Sequence, residues 1–378
     1  MPPETVESPP AAAYAASLPA TTAGNDAFAL PSVIFLMALL TVLLTAGLAL
    51  SRAEMEIAMA TQAITEADIV ARGGLQTYLG TDVFDACGRP IRPPDGDSVR
   101  INVTGGYAEV VAHVVRRPPD SLANWLYIVK SVGHVIRPDS GSAPVATRIV
   151  AQFAEWQSGY LDLPAAFTAA NGLYRTAGGT GQFHGADEDS ISGCQTPTRR
   201  SLRTSNGVPD LSGYELTGYA PSGLGTGSDI VTAAGIDWGA ALVPGRIIPD
   251  FTSPQPDNGT YPIVLVQGNA TVGTSGATTF GRGLLIVSGD LTILGSFVQW
   301  YGVVLVGGQI FFDAADQRFD GLVASGLNRQ LGMAVPTGSF GGDYLDIDYN
   351  SRYIYLAMRP LAGFAPVANA LTEDWNTY

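Results

Sequence analysis

Asp343, Asp346 and Asp348 are the best-spaced candidates for acid–base chemistry in this chain. Side chains alternate along a strand, so Asp346 and Asp348 would share one face. Two such carboxylates could cleave a glycosidic bond, one as acid and one as base or nucleophile. They could equally hold Ca²⁺ through their oxygens. The plainer reading is a solvated turn, and we adopt it because no other element points to a sugar site. Asp187-Glu188-Asp189 is a second acidic run and reads as a loop, with weak Ca²⁺ binding as its chemical alternative. His113, His134 and His184 are the only histidines. They are dispersed, lack metal-ligand spacing, and two of them fall in strand-like runs where packing is the default role. No G-x-S-x-G, P-loop or dinucleotide signature stands in a strand–helix context. The chain therefore reads as non-enzymatic, with no catalytic residue, metal or cofactor expected.

Cys87 and Cys194 are the two cysteines. In an exported chain they could form one disulfide, and two unpaired thiols are the alternative. Closing their loop of 107 residues would stabilise the fold by about 4–5 kcal/mol in the chain-entropy picture.

The element that organises the rest is an uncharged apolar run from Ala27 to Leu50, flanked by Asp26 and Arg52. A helix of that length spans about 36 Å, enough for a hydrocarbon core of about 30 Å. The preceding residues hold no Lys or Arg and are rich in Pro, Ala, Ser and Thr, so residues 1–27 read as a disordered leader rather than a secretory signal. Beyond Leu50 small and apolar residues recur at Met55, Met59, Ala63, Ala67, Val70, Ala71 and Leu75, the spacing of one helix face. One helix from about Pro31 to about Tyr78 is predicted, greasy all round at first and amphipathic later. Pro31 sits in its first turn, where a missing N–H costs nothing. Arg52 alone marks the run's flank, so the charge rule for orientation is nearly silent.

This helix resembles that of a type IV pilin, and more closely that of the PilX-like minor-pilin and pseudopilin group. Ala27-Phe28-Ala29-Leu30-Pro31 resembles the family's leader-peptidase site, which implies cleavage between Ala27 and Phe28. The stretch Ala63 to Leu79 is similar to the alanine-rich end of the family's helix. Ala27 stands where the family mostly has Gly, and Ser32 where major pilins have Glu. An uncleaved signal anchor is the alternative reading.

Composition fits a β-rich extracytoplasmic part, with 45 Gly, 25 Pro, 14% charged residues and Lys130 as the one lysine. A net charge of −14 argues against a nucleic-acid partner, which needs Lys and Arg against phosphates. Strand-like runs cover 98–103, 107–115, 125–136 and 147–153, a small β-meander on the second half of the helix. Residues 175–230 read as loops. Three segments then repeat: Ile263–Asn269, Leu284–Asp290 and Val303–Gln309, with a weaker fourth at Gly321–Gly326. Their glycines, Gly268, Gly289, Gly308 and Gly326, lie 21, 19 and 18 residues apart. That spacing suits a parallel β-solenoid of about four coils, its glycines turning the corners. A β-sandwich is the competing fold. The repeat resembles the solenoid-like domain that follows PilX-like helices, whose Tyr-Asp-Ser motif is partly matched by Tyr349-Asn350-Ser351.

The expected organisation is mainly β with one long N-terminal helix: 28–79 membrane and pilin-like helix (Phe28, Pro31, Leu50), 80–205 β-rich head, 206–356 solenoid, 357–378 tail. The resemblance implies a structural subunit of a pilus or secretion filament. Its partners would be other pilin subunits, the inner-membrane assembly machinery and the membrane itself, with a surface or glycan ligand on the solenoid. The C-terminal part would be extracytoplasmic. A membrane-anchored β-helix acting on polysaccharide is the second reading, and it would need a carboxylate or basic cluster on a solenoid face.

Overall fold

The structure, a computed structural model, describes residues 29–118, 124–137, 143–159, 161, 163–176, 178–191, 193–223, 236–341 and 344–373. The fold is mainly β with one long N-terminal helix. Two compact units divide it, Met1–Gln62 and Ala63–Tyr378.

Helix α1 runs from Ala29 to Leu79 without a break. In its first part the large apolar side chains from Val33 to Met59 are 45–70% exposed. Two of its threonines there close on the helix itself. The Thr41 hydroxyl donates to Met37 O (2.7 Å) and the Thr45 hydroxyl to Thr41 O (2.9 Å), so neither needs water. By length and composition this helix could cross a membrane.

From Ala63 the same helix is packed. Strands β1 (Asp97–Val103), β2 (Gly106–Arg116), β3 (Trp125–Val135) and β4 (Ala146–Ser158) form an antiparallel meander. Ala67, Val70, Ala71 and Leu75 are buried against Ala108, Val110, Val129 and Val150 of that sheet. Small residues let the two backbones meet. A Cβ on Gly133 would lie 2.3 Å from Ala67 O, and one on Gly74 would lie 2.2 Å from Ala108 Cβ.

The following strands build a stack of parallel coils: β5 (Ala165–Ala169), β6 (Leu173–Arg175), β7 (Thr180–His184), β8 (Arg200–Thr204), β9 (Tyr214–Thr217) and β10 (Ser222–Gly223). After helix α2 (Trp238–Ala241) come β11 (Ile263–Val266), β12 (Ala270–Val272), β13 (Thr278–Val287), β14 (Leu291–Ile293), β15 (Phe297–Val306), β16 (Ile310–Phe312), β17 (Asp316–Ser325), β18 (Gly338–Phe340) and β19 (Tyr344–Asp348). Helix α3 (Ser351–Met358) and β20 (Ala362–Glu373) complete the chain. The long strands each serve two sides of the coil: the first half of β17 pairs with β19, the second half with β5. The short strands form a third side in the order β12-β14-β16-β18-β6. Val264, Leu285, Val304, Val323, Phe167 and Leu202 stand in register across one side, all buried, as a column of the core.

The domain boundaries differ from the sequence reading in three places. Strands β5 to β9 lie within the region expected to be head or loop, yet they extend the solenoid. The climb from β11 to β19 leaves one rung unfinished, and β5 and β6 complete it. That rung is made from both ends of the domain's sequence, so no single repeat unit betrays it. The stack is also longer than four coils, with seven strands along one side. Finally, the expected tail contains β20, which pairs antiparallel with β4 and closes the head sheet. Its Glu373 reaches Arg72 of α1 (2.5 Å) and Arg148 of β4 (3.3 Å).

Candidate functional site

The four repeat glycines form one column. Gly289 N donates to Gly268 O and Gly308 N to Gly289 O (both 2.8 Å), and Gly326 N donates to Gly308 O (2.7 Å). Only Gly268 and Gly326 have positive φ. The column needs glycine for closeness instead: a Cβ on Gly308 would lie 2.0 Å from Asp290 Oδ1. A second glycine column escaped the sequence reading. Gly283, Gly302 and Gly321 are in register, with φ of 104°, 132° and 145°, where the long strands turn from the first side to the second. Its signal was present in the sequence as a glycine before three of the four apolar runs, with Pro262 before the first.

The acidic residues sit on the first side of the coil. Register sets Arg318 beside Asp346 and Gln182, and Asp320 beside Asp348 and His184. The solvated-turn reading is therefore overturned. Asp346 and Asp348 belong to β19 inside the stack, and Asp346 is 3% exposed. Asp343 lies outside the described residues. His184, expected to be a dispersed histidine in a loop region, has Nδ1 at 2.9 Å from Asp348 Oδ1 and 3.6 Å from Glu188 Oε1. Gln182 donates to Asp346 Oδ2 (2.6 Å) and Gln299 to Asp320 Oδ2 (2.7 Å). A carboxylate cluster on a solenoid face thus exists. Pairing across strands far apart in sequence assembles it, which no spacing rule could show.

Burial, followed by the charges of Asp346, Asp320 and Glu188, pushes the Asp348 carboxyl up to about 8. Burial also pushes Asp346 up, against the opposing hydrogen bond from Gln182. Asp320 is raised by burial too, and Gln299 opposes the rise. At neutral pH a protonated Asp348 therefore stands beside the Asp346 carboxyl, an arrangement that can hold or pass one proton.

Asp187, read as a loop charge, is a structural anchor. It accepts from Ser351 N (2.9 Å), Thr196 N (2.5 Å) and the Thr196 hydroxyl (2.8 Å). Burial pushes its carboxyl up, but these hydrogen bonds outweigh it and hold the group below the usual range. Asn350 caps α3 by accepting from Tyr353 N (3.3 Å), and Ala357 of the same helix packs at Gly302. Asp189 is also engaged, accepting from Ile191 N (2.8 Å). Among the described residues no group of His, Cys, Asp or Glu is arranged to hold a metal ion.

His113 lies 3.5 Å from Asp95 and His134 3.8 Å from Glu109, both on the head sheet. Cys87 and Cys194 are bonded to each other, with Cα atoms 5.3 Å apart. The bridge ties the connector after α1 to the solenoid loop before β8. Arg89 of that connector donates to Cys194 O (2.5 Å). Ala27 and Phe28 lie outside the described residues, so the leader site is an expectation from sequence only. Leu50 stands in the exposed part of α1.

No protein-family model and no curated protein matches the chain. Among solved structures it is similar to the competence-associated pilin ComZ from Thermus thermophilus, at 11% identity and a TM-score of 0.24, over 83% of this chain and 98% of that one. So distant a likeness carries no argument, and the functional reading rests on the geometry above.

Proposed function

We propose that the chain is a non-enzymatic, pilin-like structural subunit, a minor component of a type IV pilus or a related secretion filament. The observation that carries this reading is helix α1. It is continuous, apolar and uncovered in its first part, and seated on an antiparallel sheet from Ala63 onward. An exposed apolar helix of that length needs lipid or other apolar helices around it. In this proposal other pilin subunits and the inner-membrane assembly machinery supply those surroundings. The head and solenoid are extracytoplasmic, in keeping with the disulfide between Cys87 and Cys194. Ser32 cannot neutralise a neighbour's N-terminal amine as a glutamate would, which suits a tip or priming position. The solenoid is then the surface for adhesion or assembly.

The test is the N-terminus of the mature protein, measured by mass spectrometry on native membranes. A chain beginning at Phe28 supports the pilin route. A chain beginning at Met1 or Pro2 removes it and leaves an uncleaved anchor.

One observation favours a second reading, a membrane-anchored solenoid that binds or acts on polysaccharide. It is the row of Asp320, Asp346, Asp348 and His184 on a solenoid face. Release of reducing ends from glycans by the native chain, lost in Asp320→Asn, would establish it in place of the first.

A further inference from the structure

A cavity of about 260 Å³ opens where α1 ends, between the connector that follows it and strands β1, β4 and β20. A cavity of about 150 Å³ lined by aliphatic and aromatic side chains already admits benzene, so this one has room for a small organic molecule. Its walls are mainly apolar and include three aromatic rings, Tyr78, Trp156 and Phe364. Trp156 and Phe364 are paired across β4 and β20, and Tyr78 approaches Phe364 with ring centroids 5.8 Å apart. Ring faces attract cations, most strongly when several converge in a dry site.

The polar part of the lining has one sign. Asp82 and Asp97 both line the cavity, and no Lys, Arg or His does so among the described residues. Nearby guanidinium groups are engaged elsewhere. Arg92 stacks on Trp125 at 3.7 Å and donates to the Tyr127 hydroxyl at 3.1 Å. Arg359 stacks on Phe84 at 4.0 Å. Asp97 accepts from the Tyr78 hydroxyl at 3.3 Å, a neutral partner. Burial pushes the Asp82 carboxyl up, and the charge of Arg359 opposes the rise. An anionic guest would meet two carboxylates and no cationic side chain in the described lining. A positive group carrying an apolar body would satisfy both the carboxylates and the rings.

We propose that this cavity is a binding site for a small alkyl- or arylammonium ion. The ammonium group sits toward Asp82 and Asp97, and the apolar body sits among Tyr78, Trp156, Phe364 and Ile101. The same chemistry occurs in free amines and in the trimethylammonium headgroup of a lipid.

The full chain in non-ionic detergent is titrated with benzyltrimethylammonium, with dihexanoyl phosphatidylcholine below its micelle concentration, and with hexanoate. Binding is read from tryptophan fluorescence, with Trp156→Phe assigning the signal, and from isothermal calorimetry. The expected result is saturable binding of benzyltrimethylammonium and at least tenfold weaker binding of hexanoate. Asp97→Asn should weaken the ammonium about tenfold, and Ile101→Trp should abolish binding by filling the cavity. Thermal melting of both variants controls for folding. Added binding of the phosphocholine assigns the lipid source, and its failure beside a bound ammonium assigns the free cation. No saturable binding of either cation, equal binding of hexanoate, or an Asp97→Asn variant that binds unchanged would overturn the proposal.

Discussion

The two stretches of α1 are parts of one helix, yet they solve opposite problems. Before Gln62 every large apolar side chain from Val33 onward is exposed; after Ala63 a buried stripe runs through Ala67, Val70, Ala71 and Leu75. Among the described residues the large side chains of the first stretch stay uncovered, and Thr41 and Thr45 hydrogen-bond to the helix's own carbonyls. The second is held by close backbone approach at Gly133 and by Glu373 bridging to Arg72. Apolarity alone therefore does not say where a helix belongs. The pattern around the helix does: one apolar all round suits a fluid apolar surround, and one with a single buried stripe suits a fixed sheet.

That contrast can be broken from either side. The largest expected effect is Val70→Arg, which buries an unpaired charge at a site now 1% exposed. It should cost the head roughly 3–5 kcal/mol, seen as lost near-ultraviolet dichroism, while the chain stays in carbonate-washed membranes. Leu43→Arg should do the reverse. A charge at the centre of a span costs about 2.5–3.5 kcal/mol of insertion, so membrane retention falls and the melting of the head is unchanged. If both variants fail in both assays, the two stretches are not separate.

Smaller changes sharpen the picture. Gly133→Ala should destabilise the head by about 1–3 kcal/mol through overpacking against the α1 backbone, measured by denaturant unfolding of the full chain in detergent. A separate effect lies in the solenoid and should leave the helix–sheet contact alone. Asp348 binds its proton with a pKa raised to about 8 in the fold, against about 3.9 when unfolded. Between those values only the folded state holds the proton, so the solenoid loses stability as pH rises from 5 to 8. Asp348→Asn should flatten that slope in pH-dependent melting.

Much of this was legible in the sequence, for reasons that are local. The run to Leu50, the stripe at Ala67, Ala71 and Leu75, and strands β1 to β4 follow from periodicity and composition. The repeats at Ile263, Leu284 and Val303 announce stacked coils because each rung repeats its neighbour. Three features stayed hidden because they are not local. β5 and β6 complete a rung begun by β19, β20 returns to the head sheet, and His184 meets Asp348 across paired strands. The cavity beside Tyr78 and Phe364 was equally unreadable, since β20 supplies one wall from the far end of the chain.

The most direct test of how α1 is used compares spin labels at two of its residues. Leu43 and Ile69 are each 60% exposed, one in either stretch. Single labels at Leu43→Cys and Ile69→Cys, in the full chain reconstituted into liposomes, are read by power saturation with oxygen and with a water-soluble nickel chelate. The label at 43 should be relaxed by oxygen and shielded from nickel, and the label at 69 should be relaxed by nickel. Equal access of nickel to both labels would contradict this.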